Sequence, residues 1–337
     1  MIKRILYTLL IMFPVVASAQ INTDRVMAIG RNALYFEDYV LSIQYFNQVI
    51  NAKPYLSDPY FYRGLAKINL DDFQGAESDC SEAIERNPFV VSAYQVRGLA
   101  RIQQNNFAGA IEDYTKALEF DPENIGVWHN MALCRIRQED YKGAKNDLDK
   151  LIAISPRYTK AYLMRGEVDL KQKDTLAAEK DFGKAIEIDR YDADTWASRA
   201  ILRLQQQRYK DAEADFDHAI RLSTRNSGVY INRALARYHQ NNLRGAMSDY
   251  DIALDIDPNN FIGHYNRGLL RAQVGDDNRA IQDFNFVIEM EPDNMMAIFN
   301  RGLLLDQTGD YKGAIKDYST VINEYPNFLL GYQYRAQ

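Results

Sequence analysis

The sequence predicts an all-α fold, a linear array of helical hairpins, and three observations predict it. Pro54, Pro88, Pro122 and Pro156 are spaced by 34 residues each time, and Pro258, Pro292 and Pro326 keep the same phase. A fixed period of that length marks a repeat array in which each unit is one supersecondary element. Within a period, two stretches carry helical periodicity: in "HYNRGLLRAQVGDDNRAIQDFNFVIEMEP", His264, Gly268 and Arg271 share one helix face, and Ala280, Asp283, Phe284 and Val287 share another. Between the two stretches stands a short polar residue suited to starting the second helix.

Ahead of the array, Lys3 and Arg4 precede the apolar run "ILYTLLIMFPVV", which ends in "ASAQ". That layout predicts a secretory signal peptide over 1–19, cleaved after Ala19, and therefore an exported protein, periplasmic or extracellular. The run is shorter than the ~20 residues of a membrane-spanning helix, so no integral span is expected; an uncleaved N-terminal anchor is the alternative. No cysteine follows the cleavage point to carry a lipid. After a short lead at 20–22, the 34-residue register runs without insertion through nine units, 23–56, 57–90, 91–124, 125–158, 159–192, 193–226, 227–260, 261–294 and 295–328. A tenth unit begins at Leu329 and stops at Gln337.

Each unit is justified by the same parts. Asp38, Asp72, Asn106, Asp140, Asp174, Asn242, Asp276 and Asp310 stand where a side-chain oxygen caps the second helix, with Arg208 the departure. The prolines end the second helix because proline supplies no N–H and disfavours helix in the residue before it. Arg190 and Thr224 replace proline in the fifth and sixth units, which predicts longer second helices there. Gly64, Gly98, Gly166, Gly268 and Gly302 permit close approach to Ala76, Ala110, Ala178, Ala280 and Ala314, and aromatic residues such as Trp128, Phe182 and Tyr250 fill the remaining space. Cys80 and Cys134 fall two units apart, beyond the ~7 Å Cα separation of a disulfide, and are expected as small buried apolar residues.

Period, small-residue pairs, aromatic fillers and closing proline recur together, as in "WHNMALCRIRQEDYKGAKNDLDKLIAISP" at 128–156. The pattern resembles the tetratricopeptide repeat (TPR) family from Thr23 to the end of the chain. The resemblance implies a right-handed α-solenoid whose concave groove, lined by first helices, binds peptide segments of other proteins. It does not identify the partner.

Two residues depart from the family's usual apolar choices and travel together. Arg63, Arg97, Arg165, Arg199, Arg233, Arg267 and Arg301 recur in one register, and Asp79, Asp113, Asp181, Asp215, Asp249, Asp283 and Asp317 recur 16 residues later. The first unit has neither, with Ile29 and Tyr45 instead, as expected if the two pair within a unit. In the fourth unit Met131 faces Asp147, and Arg135, one turn on, is the expected substitute. Arg271, with Lys67, Arg101, Arg203 and Arg237, is placed to share the same aspartate. Such regular repetition points to framework; an anion-binding arginine ladder would need the aspartates unpaired.

The chain of 337 residues is 47% hydrophobic and 26% charged, a globular composition. Its net charge of -6 and pI near 5.4 exclude a nucleic-acid partner, which needs a basic excess on one face. His129, His218, His239 and His264 lie in different registers, so neither a metal site nor a base beside a nucleophile is expected, and no cofactor or catalytic residue is assigned. The candidate site is the residue before the arginine. Asn130, Asn232, Asn266 and Asn300 occupy it, and an asparagine amide both donates to and accepts from a peptide backbone. This resembles the asparagine ladder in the repeat domain of O-linked N-acetylglucosamine transferases. Tyr265 and Phe299 adjoin it as candidate aromatic contacts, and the stripe Leu65, Leu99, Leu133, Ile201, Leu235, Leu269 and Leu303 lies beyond, interrupted by Glu167. The leading expectation is an exported, non-enzymatic scaffold binding a peptide segment or partner subunit. The alternatives are the repeat portion of a longer enzyme acting on glycans or proteins, and self-association through the uncapped C-terminal unit.

Overall fold

The computed structural model describes residues 22–223 and 225–336. The expected signal peptide, its cleavage point after Ala19, residues 20 and 21 of the lead, Thr224 and Gln337 lie outside the described residues. Among those described, all regular structure is helical. The chain divides into two compact bodies, Met1–Pro156 and Arg157–Gln337. The first holds α1 (Thr23–Tyr35), α2 (Tyr39–Ala52), α3 (Asp58–Ile68), α4 (Phe73–Arg86), α5 (Val91–Gln103), α6 (Phe107–Phe120), α7 (Ile125–Arg137) and α8 (Tyr141–Ile154). The second holds α9 (Thr159–Lys171), α10 (Thr175–Ile188), α11 (Ala193–Gln205), α12 (Tyr209–Leu222), α13 (Ser227–His239), α14 (Leu243–Ile256), α15 (Phe261–Gln273), α16 (Asp277–Met290), α17 (Met295–Gln307), α18 (Tyr311–Glu324) and α19 (Leu329–Arg335). Each body is a stretch of α-solenoid in which successive helices pair as hairpins.

The turn inside each hairpin is built twice over. Its first half ends the leading helix with a residue in left-handed conformation, φ 63° at Glu37, 59° at Asn105 and 61° at Gln207, where only Gly275 and Gly309 supply a glycine. The next N–H reaches back five residues, as from Asn106 to the Arg101 carbonyl at 2.8 Å, which satisfies a carbonyl the helix leaves open. Its second half is the predicted cap: Asp72 accepts from Gly75, Asn106 from Gly109, Asp140 from Gly143 and Asn242 from Gly245. Asp276 does not cap; its carboxylate instead faces Arg279 at 3.5 Å. Leading helices carry caps the sequence reading did not single out, among them Asn124, Asn260 and Asn294.

The longer second helices expected where proline is missing do not occur. α10 and α12 have 14 residues, as α14 does. At the first of these junctions Asp189 adopts an extended conformation, and its side chain accepts from the Tyr191 N–H at 2.9 Å, so a local turn stops the helix without proline.

Packing within a hairpin is closer than alanine contact alone. A Cβ on Gly98 would lie 2.8 Å from the Tyr114 ring, and one on Gly166 would lie 2.6 Å from the Phe182 ring. A side chain at these two positions would force the ring to shift, whereas the sixth and seventh units place Ala200 beside Phe216 and Ala234 beside Tyr250. A residue from the following hairpin closes each core: Leu202 joins Ala178 and Phe182. Burying a phenylalanine ring in this way contributes about 1.5–3 kcal/mol. Cys80 and Cys134 are buried free thiols, and burial pushes them up to about 12 and about 11.

Candidate functional site

The arginine–aspartate pairs form as the register predicts. Arg267 donates to both carboxylate oxygens of Asp283, through Nε at 3.1 Å and Nη2 at 2.8 Å, and Arg271 adds a third contact at 2.8 Å. Equivalent forks join Arg97 to Asp113, Arg165 to Asp181, Arg199 to Asp215, Arg233 to Asp249 and Arg301 to Asp317. Burial opposes the charge on Arg267, but bonds to Asp283 and Asp251 outweigh it and hold its pKa above the usual arginine value.

The pairing also crosses between units, which the within-unit expectation missed. Arg267 Nη1 donates to Asp251 of the preceding unit at 2.8 Å. Arg63 reaches Asn47, Arg97 reaches Ser81, Arg233 reaches Asp217 and Arg301 reaches Asn285 in the same way. Arg101, Arg203 and Arg237 further bridge to Glu77, Glu179 and Glu213. The signal was present as a polar residue 16 positions before each arginine of the forks except Arg199, where Gly183 stands. In the fourth unit Arg135 does substitute, with Nε 2.8 Å from Asp147, yet neither atom forms a directed hydrogen bond. Burial, opposed by Arg135 and Lys150, raises Asp147 to about 6.

Beside this network the first helices carry an uncharged row. Ile262, Asn266 and Leu269 follow at helical spacing on α15, and Met296, Asn300 and Leu303 repeat them on α17. α15 and α17 touch, and Asn300 Nδ2 donates to the Tyr265 hydroxyl across them at 3.2 Å. Ile262 and Met296 are 50% and 55% exposed and Leu269 is 40% exposed, so the stripe is not wholly consumed by packing. Asn266 is half-buried and makes no side-chain hydrogen bond among the described residues. Asn232 on α13 donates 2.9 Å to the Gly228 carbonyl of its own helix. Asn130 lies in the other body, beside the Tyr114 hydroxyl but without a formed hydrogen bond.

Phe299 is placed differently from its neighbour Tyr265. It is buried in the core with Tyr318 and Val321, and its ring meets Phe328 edge to face at 5.0 Å. Its remaining edge lines an apolar hollow of about 610 Å³ with Met295, Met296 and Tyr325. Among the described residues no group of three or more His, Cys, Asp or Glu side chains is arranged to hold a metal, and no helix is long and apolar enough to cross a membrane.

This hairpin geometry agrees with comparison to known families. Models described as TPR repeat or tetratricopeptide repeat match residues 98–134, 125–158, 159–192, 198–261 and 265–327. The chain belongs to the tetratricopeptide repeat family. No curated protein matches the sequence. Among solved structures, a tetratricopeptide repeat protein from Parabacteroides merdae is similar with TM-score 0.57 and 21% identity, over 74% of this chain and 98% of its own. The C-terminal part of a TPR repeat-containing protein from Cytophaga hutchinsonii gives 0.57 and 17%, over 70% and 97%. Pseudomonas aeruginosa pilF gives 0.57 and 18%, over 63% and 96%. At these identities the likeness is one of fold.

Proposed function

We propose that the chain is an exported, non-enzymatic scaffold that binds an extended peptide segment of a partner protein on the first-helix face of residues 227–328. The observation that carries this reading is the repeated row of apolar, amide and leucine residues on α15 and α17, beside arginines already bound to aspartates. Such a face offers no net charge. It suits a peptide held by its backbone, with apolar side chains set against Ile262, Met296 and Leu269. Each amide contact contributes about 0.5–1.5 kcal/mol. Asn266 has its whole amide free for that purpose, whereas Asn232 and Asn300 have each committed one N–H. Export rests on the leader pattern at 1–19, and a mature chain beginning at Gln20 in an intact-mass measurement would support it.

The binding test compares wild type with the Asn232→Ala, Asn266→Ala, Asn300→Ala triple variant. Peptides are selected from a random library on wild type, and their affinities are then measured by calorimetry. Losing about 1.4–3 kcal/mol would weaken binding roughly ten- to a hundredfold. Melting should change little, because each surface substitution costs less than about 0.5 kcal/mol. Normal affinity, or early melting of the triple variant, would refute the assignment of this face.

A further inference from the structure

We propose that Gly183 leaves an open carboxylate-binding slot between α10 and α11, in which Arg199 Nη1 and Arg203 Nη2 hold the carboxylate of a ligand. The two following units show what fills this place elsewhere. Asp217 Oδ1 lies 2.7 Å from Arg233 Nη1 and 3.8 Å from Arg237 Nη2. Asp251 Oδ1 lies 2.8 Å from Arg267 Nη1 and 3.9 Å from Arg271 Nη2. Each aspartate stands 16 residues before the first arginine of its pair, and the same count back from Arg199 reaches Gly183. A Cβ built there would meet no atom of the surrounding structure within 4 Å, so a side chain can start from this position without a clash.

The arginines are nonetheless held in the same pose. Asp215 accepts from Arg199 Nε at 2.8 Å and Nη2 at 2.9 Å, and from Arg203 Nη1 at 2.8 Å, while Glu179 accepts from Arg203 Nε at 3.1 Å. That leaves Arg199 Nη1 and Arg203 Nη2 without an acceptor among the described residues. Trp196 stacks on His218 at 4.3 Å and covers the Arg199 guanidinium at 5.0 Å, forming one wall beside it. The Arg199 and Arg203 side chains are 16% and 17% exposed, much as Arg97 and Arg101 are at 16% and 18%.

Comparison along the array selects a carboxylate over a neutral acceptor. Where both positions are arginine, as at Arg233 and Arg237 or Arg267 and Arg271, the slot holds aspartate. Where the second is Lys67 or Leu305, it holds Asn47 or Asn285. Two units depart from this rule: Ser81, before Arg97 and Arg101, closes its slot with a hydroxyl at 3.1 Å, and Asp149 stands before Arg165 although the second position there is Asp169. Glu179 one turn before Gly183 is no obstacle, since Glu213 stands one turn before Asp217 in the same way.

The test uses the full chain labelled with 15N-arginine and follows side-chain N–H signals by NMR. Sodium acetate is titrated against sodium chloride at matched ionic strength. The expected result is a saturable acetate-specific shift of two arginine signals. Gly183→Asp should displace the same two signals without ligand, raise the melting temperature and weaken the acetate response at least tenfold. If that variant does not fold, Gly183→Asn, patterned on Asn47 and Asn285, gives the same readout. Acetyl-Gly-Glu-Gly-amide and acetyl-Gly-Gly-Gly with a free C-terminus then distinguish an acidic side chain from a chain end, and a response to acetate alone indicates a small carboxylate. Acetate acting no differently from chloride on wild type, or an undiminished response in the folded variant, would overturn the proposal.

Discussion

Met131 removes the framework arginine from the fourth unit, and Asp147 bears the consequence. Its side chain is 6% exposed, and Arg135, its remaining close cation, divides itself between Asp147 and the capping Asp140. Burial, set against attraction from Arg135 and Lys150, raises the carboxyl from its ordinary 3.8 to about 6. A folded pKa above the unfolded one gives stability that is fully present below the unfolded value and lost as pH rises through the folded value. The window here is about pH 4 to 6, and crossing it removes about 3 kcal/mol of stability. Met131→Arg should restore the fork, with Thr115, whose Oγ1 lies 4.0 Å from the Met131 sulfur, available as the acceptor in the preceding unit. The fork should pull Asp147 back down, stabilising the variant over wild type by about 1–3 kcal/mol at neutral pH, less the cost of burying the guanidinium. That difference should shrink to near zero or reverse at about pH 4. Urea denaturation of both proteins across this range isolates the effect, because carboxylates common to both cancel. Asp147→Asn should flatten the wild-type pH dependence in the same window. A difference between Met131→Arg and wild type that stays constant over the range would refute the reasoning.

Arg267→Ala should strand the buried Asp283 and lower stability by about 3 kcal/mol, the lower end of the range for a broken buried pair, because Arg271 and His264 still face that carboxylate. Thermal melting checks this, and a loss under about 1 kcal/mol would show that the fork is dispensable. Gln207 holds φ 61°, a conformation that costs a residue with a side chain about 1–2 kcal/mol, so Gln207→Gly should raise stability by up to about 1 kcal/mol after glycine's greater unfolded-state freedom is subtracted. A lower melting temperature would contradict it.

Much of this architecture was legible because a repeated chain states each rule several times. The cap at Asp72 is readable from its equivalents at Asn106 and Asp140, and the fork at Arg267 from six others. What failed to read depended on side-chain geometry that the spacing of residues does not carry. Asp276 loses its capping role to Arg279, a competing cation one turn ahead. Phe299 shares a register with Tyr265, but Phe328, the last residue of its own unit, bears on its ring, a contact that the register of Phe299 alone does not announce. Asn232 turns its amide to the Gly228 carbonyl, a rotamer choice invisible in spacing. The acceptors Asn47, Ser81, Asp217, Asp251 and Asn285 differ in type, so their common role emerges only when counted back from the arginines they serve.

The forks explain why a repeated arginine ladder is poor ground for recognition and why its interruptions are better. At Arg267 each terminal nitrogen meets a carboxylate oxygen, so an incoming anion would have to displace an aspartate already in place. An intact pair of this kind adds little net stability, whereas removing one partner exposes the full desolvation cost of the other. The two breaks remove opposite partners. Met131 deletes a cation and leaves a carboxylate whose cheapest remedy is a proton. Gly183 deletes an acceptor and leaves guanidinium groups that cannot shed their charge near neutrality, so their remedy is an external carboxylate. One framework thus yields a site that answers to pH at Asp147 and a site that answers to a ligand at Arg199, each derived from a single residue that departs from the register.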